Sequence, residues 1–260
     1  MMITFLHPLA ALEDQPWFRQ YLLPYVTFSF KYQTYENINI DAHPVPHWGS
    51  DFKQHISFYL SPLSNWCFEF EAVTAESRAQ KGFDSAKILA RYLLLSDLIG
   101  DPFSLAVGFC FTGLTHDALE DRSIFHHGRE EYEFSAAFGK EISCGPTWNW
   151  HFWNTAALGI ADRGSPWIWN KTAIAKQHEW GTWELYLRSL VSFGNHRMSL
   201  VNPFRGYGSL RQRSIDLGGQ IRYQLERGEL ELAYQWRPWA RNCPEYAHQI
   251  ALSFIFPCKL

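Results

Sequence analysis

The chain is short of several things that would have named a class. Its five cysteines, Cys67, Cys110, Cys144, Cys243 and Cys258, include no CxxC pair and are odd in number, so neither a zinc ribbon nor a disulfide framework is supported. They read as small, semi-buried hydrophobes. There is no basic excess: 23 Lys plus Arg stand against 26 Asp plus Glu, a formal charge of −3, which argues against a nucleic-acid partner. Charged residues are only 19% against 47% hydrophobic, which excludes a disordered acidic chain. No run approaches 18 uncharged apolar residues, so a transmembrane helix is excluded. Residues 1–12 are apolar but carry no Lys or Arg and no clear cleavage site. Residues 1–21 are therefore read as an N-terminal segment, the remnant of a signal peptide, and residues 22–260 as one domain.

What the chain has is aromatics, 17% of its 260 residues, with 20 Phe, 12 Tyr and 12 Trp. The mean hydropathy is nevertheless −0.25, so polar residues must dilute the apolar ones at short range. They do so with a period of two. Val26, Phe28, Phe30 and Tyr32 alternate with Thr27, Ser29, Lys31 and Gln33, which puts one face in grease and the other in polar surroundings on a strand. The period recurs at 53–60, 66–73, 85–94, 103–112, 131–138, 150–160, 183–188, weakly at 198–204 around Pro203, then at 215–225, 230–237 and 249–256. Trp153 and Asn154 interrupt the seventh run. Twelve strands are expected. Short turns are expected at 61–65, 96–102, 139–146, 193–197 and 226–229. Longer loops are expected at 36–51, 75–82, 116–128, 162–180, 205–212 and 238–245.

An even number of alternating strands, with short turns at one end and long loops at the other, suits a lipid environment. There an open sheet edge strands backbone groups, so only a closed barrel works. Trp66, Trp148, Trp150, Trp180, Trp183 and Trp236 fall near strand ends, where aromatic girdles meet the interface. From about Tyr25 to Phe256 the chain resembles a bacterial outer-membrane β-barrel of the twelve-strand kind: all-β, antiparallel and up-and-down, with both termini periplasmic. The last strand, with Phe254 and Phe256, resembles the C-terminal assembly signal of such proteins, although Pro257, Cys258, Lys259 and Leu260 follow it. The resemblance implies a place in the outer membrane, lipid and the barrel-assembly machinery as partners, and a narrow porin-like channel open to small solutes or a structural surface barrel. It calls for no cofactor and no metal.

The inward face then carries Lys31, Lys53, Lys87, Arg91, Arg188, Arg222 and Arg237 against Glu69, Glu71, Glu131, Glu133, Glu184, Asp216 and Glu231, a balanced set. If the loop after the third strand is a hairpin, Glu71 lies opposite Lys87, with Glu69 diagonal to Lys87 and Arg91. This lining is read as a structural ion-pair network, or as a pore selecting by size rather than sign. Two other readings stand beside it. His55 and Ser57, spaced i, i+2 on one strand face, resemble the His-x-Ser of outer-membrane phospholipase A, a base beside a hydroxyl nucleophile. A soluble carbohydrate-active β-sandwich would bury the apolar face, use a glutamate pair from Glu130, Glu131 and Glu133 or from Glu69 and Glu71, and stack sugar on Trp167 and Trp169. His43, His47, His116, His126, His127 and His178, beside Asp117, Asp121 and Asp162, are read as exposed loop residues. A loop metal site or an omptin-like rim protease site would draw on the same side chains.

Overall fold

A computed structural model describes residues 14–40, 43–77, 81–123, 125–143, 148–200 and 204–258. The expected leader stretch 1–12 lies outside the described residues. The strands are β1 (Tyr25–Ile40), β2 (His43–Leu63), β3 (Trp66–Ser77), β4 (Lys81–Leu95), β5 (Ser104–Leu114), β6 (Glu130–Ser143), β7 (Trp148–Ala161), β8 (Trp167–His178), β9 (Gly181–Ser192), β10 (Arg213–Leu225), β11 (Gly228–Arg241), β12 (Cys243–Glu245) and β13 (Ala247–Pro257). From β1 to β11 each pairs antiparallel with its neighbours in sequence order, and β11 pairs on its other side with β13. The short β12 and β13 are two parts of one wall strand, broken at Tyr246, whose φ is 53°. Both pair with β1: β13 from Tyr25↔Pro257 to Thr34↔His248, and β12 from Asn37↔Glu245 to Asn39↔Cys243. That pairing closes the sheet into an up-and-down barrel of twelve wall strands.

The apolar set faces outward. Phe28, Phe30, Ile56, Phe109, Phe134, Leu185 and Leu232 are all exposed, while their neighbours Ser29, Ser57 and Glu231 are buried. A water-soluble sheet protein has the reverse arrangement, and a continuous apolar belt of this kind needs something other than water against it. The β-sandwich reading fails here: the sheet closes on itself and the greasy face points away from the centre. The buried groups are mostly polar because the interior is a lumen filled by side chains rather than a hydrophobic core. Aromatics gather at the short-turn end, with Trp150 5.3 Å from Trp183 and Trp66 5.0 Å from Tyr92 between ring centroids.

The count of twelve stands, but two assignments change. Residues 162–180, expected as a loop, contain β8, and the residues of the expected strand 198–204 that are described lie in the connection from β9 to β10. The fourth short turn is therefore His178 to Gly181, not 193–197. Strand β8 places Trp167, Trp169, Ala173 and Ala175 inside and Asn170 and Thr172 outside, so its polarity runs against the pattern of the other strands. β1 and β2 also outrun their expected ends and pair up to Ile40↔His43, so the described residues 36–40 and 43–51 lie in paired strands rather than in a loose loop.

Candidate functional site: a polar lumen with packed ends

Period-two alternation sends every second side chain of each strand into the barrel, and together these enclose a chamber of about 460 Å³. Lys31 on β1, Lys53 and His55 on β2, and Lys87 and Arg91 on β4 line one side of it with Glu71 of β3. Glu131 and Glu133 of β6, Arg188 of β9, Asp216 of β10, and Glu231 and Arg237 of β11 line the rest. The β3–β4 hairpin sets Glu71 opposite Lys87, and their charged atoms are 3.4 Å apart. Glu71 is also 3.3 Å from His55 Nδ1. Arg237 donates to Asp216 at 2.7 Å, and Glu133 accepts from the indoles of Trp167 and Trp169 at 3.1 and 3.2 Å. Opposite charges are thus held side by side, which satisfies groups that would be costly to bury alone.

Three expected lining residues, Glu69, Glu184 and Arg222, are buried inside the barrel but do not border the chamber. They sit lower, each within a few residues of a short turn, where residues 14–24 enter the lumen. Arg222 is held by Glu231 at 2.6 Å. Glu184 binds Lys171 at 2.8 Å, and the same ammonium reaches Asp14 at 2.9 Å.

The N-terminal segment is built into the wall around it. Arg91 donates to the carbonyl of Gln15 at 2.6 Å, and Thr155 donates to that of Asp14. Trp17 packs edge-on to Trp153 at 6.1 Å and donates its indole N–H to Asp97 at 2.9 Å. Gly139 makes the room: a Cβ there would lie 2.7 Å from the Trp17 ring. Arg19 lies over the rings of Tyr25 and Tyr59, and its backbone N–H donates to the Tyr59 hydroxyl at 3.0 Å. Asp97 stands in the turn between β4 and β5 and also accepts from Ser104 at 2.5 Å and from the Glu141 N–H at 2.6 Å. Burial alone would push its carboxyl up. The hydrogen bonds from Ser104, Glu141 and Trp17, with Lys140 nearby, outweigh this and hold it below the usual carboxylate value.

Two loops pack over the opposite mouth. In the loop after β5, the Ser123 carbonyl accepts from Gln33 of the wall at 3.0 Å. The loop between β9 and β10 buries Met198, Phe204, Tyr207 and Leu210 against Tyr35, Ile38 and Cys243. Tyr207 joins the two loops: its N–H donates to the His126 carbonyl at 2.6 Å, its hydroxyl donates to the Arg122 carbonyl, and its ring meets Phe125 at 5.1 Å. Burial raises its phenol well above the usual value, so it stays a neutral donor.

His55 and Ser57 both face the interior. His55 borders the chamber; Ser57, 2% exposed, does not, and neither meets the lipid-facing surface where an acyl chain would lie. Glu69 and Glu71, and Glu131 and Glu133, also point inward. Two loop histidines differ from the expectation of exposure. His126 is buried 3.2 Å from Asp84, and His127 is buried and stacked 3.8 Å from the Trp167 ring. Among the described residues no three His, Cys, Asp or Glu side chains are grouped to hold a metal ion. Sequence reasoning misses Lys171, because the pattern puts residues 162–180 in a loop, and Asp14, Trp17 and Asp97, whose roles need the folded N-terminal segment.

No family model matches the chain, and no curated protein does. Solved structures do. An outer-membrane channel from Pseudomonas putida F1 matches with a TM-score of 0.58 at 9% identity, over 96% of this chain and 100% of the other. The NanC porin matches at 0.55 and 8% identity, covering 90% and 100%, and the KdgM porin at 0.53 and 6% identity, covering 90% and 99%. The fold is that of a twelve-strand outer-membrane β-barrel. At identities this low the likeness lies in the wall, and the lumen has to be read from this chain's own residues.

Proposed function

We propose that this barrel is a narrow, porin-like channel of the bacterial outer membrane, passing small polar solutes through a charge-balanced lumen. The observation that carries the reading is the chamber of about 460 Å³, lined by carboxylates, ammonium and guanidinium groups inside a wall whose outer face is apolar. Paired charges leave little net field along the axis, so the lumen selects by size more than by sign. Packed chain narrows the lumen at both ends. Residues 14–19 pack into the short-turn end and the loops around Tyr207 pack over the other, so conduction rises when one or both withdraw.

Planar-bilayer recording tests this. The expected result is a small conductance with a reversal potential near zero in a salt gradient, rising in Trp17→Ala, which loosens the N-terminal segment. Silence from both the natural chain and the variant would leave a structural barrel instead. A reversal potential close to that of a single ion would overturn the balanced lumen. Cell fractionation checks the location: the protein should band with the outer membrane.

A further inference from the structure

We propose that two copies of this chain pair through the outer face of β6 to β9, forming a dimer in the membrane. The inference rests on the membrane-spanning reading and starts from side chains that such a surface should not carry. Asn154, midway along β7, and Asn170 and Thr172, midway along β8, point outward. The two amides bond reciprocally, each donating to the other's oxygen at 3.0 Å, and Asn154 also donates to the Thr172 hydroxyl at 2.8 Å. These bonds leave the second amide N–H of Asn170 and the hydroxyl hydrogen of Thr172 still to donate. At the centre of a bilayer neither acyl chains nor water can accept them. Polar groups in the hydrocarbon layer face protein far more often than lipid.

The backbone register adds an independent observation. Ala136, Ala156, Asn170 and Ser189 sit directly opposite one another on four successive strands, so a row of small side chains crosses the wall there. Large side chains border the row: Phe134 and Phe138 beside Ala136, Leu158 beside Ala156, and Leu187 beside Ser189. The result is a shallow trough with a polar floor, into which another transmembrane wall can settle closely.

The occupant follows from the trough's chemistry. It holds amides and hydroxyls, each both donor and acceptor, and no charge, so it complements itself. A two-fold axis brings Asn170 and Thr172 of one copy against the same groups of the other. A purely apolar partner would leave those donors unmet, and a charged one would bring an uncompensated charge into the hydrocarbon layer.

Native mass measurement in neutral detergent, beside electrophoresis of unboiled and boiled samples, tests the pairing. The natural chain should run at twice the chain mass. Both Asn154→Leu/Asn170→Leu and Ala156→Phe should run at half of that while keeping the mobility difference that marks a folded barrel. All these replacements are apolar and face lipid, so they suit an unpaired wall. A natural chain that is monomeric at every concentration would overturn the proposal, and so would a dimer that survives Ala156→Phe with the barrel folded. If the leucine variant does not fold, Ala156→Phe decides alone. Absence of the mobility difference in the natural chain would reject the membrane reading instead.

Discussion

A single carboxylate, Asp97, ties the N-terminal segment to the wall through the Trp17 indole. Its lowered pKa fixes the sign of a pH effect. A carboxyl held below its unfolded value, about 3.9, gives its full stabilisation above that value and loses it as pH falls through the folded one. The segment should stay seated at pH 5 and loosen only in stronger acid. Conductance followed against pH should show that acid step, and Asp97→Asn should flatten it by raising the neutral-pH level. Lys171 poses a different case. Its ammonium joins Asp14 to Glu184, so Lys171→Met leaves the buried carboxylate of Glu184 and the half-buried one of Asp14 without that cation. A cost of about 3–5 kcal/mol is expected, read as an earlier midpoint in denaturant-driven unfolding from detergent. Neither residue was legible in the sequence, because the partners lie far along the chain: Trp17 and Asp97 are 80 residues apart, and Asp14 and Lys171 are 157.

Strands were legible where one face is purely apolar. β1, β10 and β13 follow their alternation almost residue for residue. β8 did not read as a strand for a physical reason. It turns Trp167, Trp169, Ala173 and Ala175 into a lumen that has N-terminal chain to pack against, and it turns Asn170 and Thr172 outward, so the usual contrast between faces is lost. Met198, Leu200 and Phe204 mislead in the opposite sense: they serve the small cluster at the mouth, not a lipid face. Cysteine substitution separates the two assignments. Lipid-soluble quenchers should reach a label at Ile168 or Ile174 and not one at Ala173. A label at Ser199 should escape them and react with water-soluble reagents from the loop side only.

At the scale of the molecule, the decisive feature is that the barrel is inside out relative to a soluble protein. Alternation alone cannot say which face meets solvent, because a sandwich carries the same period of two. What favoured the barrel in the sequence was the regular exchange of short turns and long loops, together with bulky aromatics in every strand. What the sequence did not disclose was that chain packs into both ends of the lumen, since this depends on where residues 14–19 and the described parts of the two loops come to rest. The most direct measurement is electrophoretic mobility of the detergent-refolded protein with and without boiling. A closed barrel resists SDS until heated, so the unboiled sample should migrate apart from the boiled one. Identical migration, from a protein that stays soluble with no detergent present, would contradict the membrane barrel and the channel built on it.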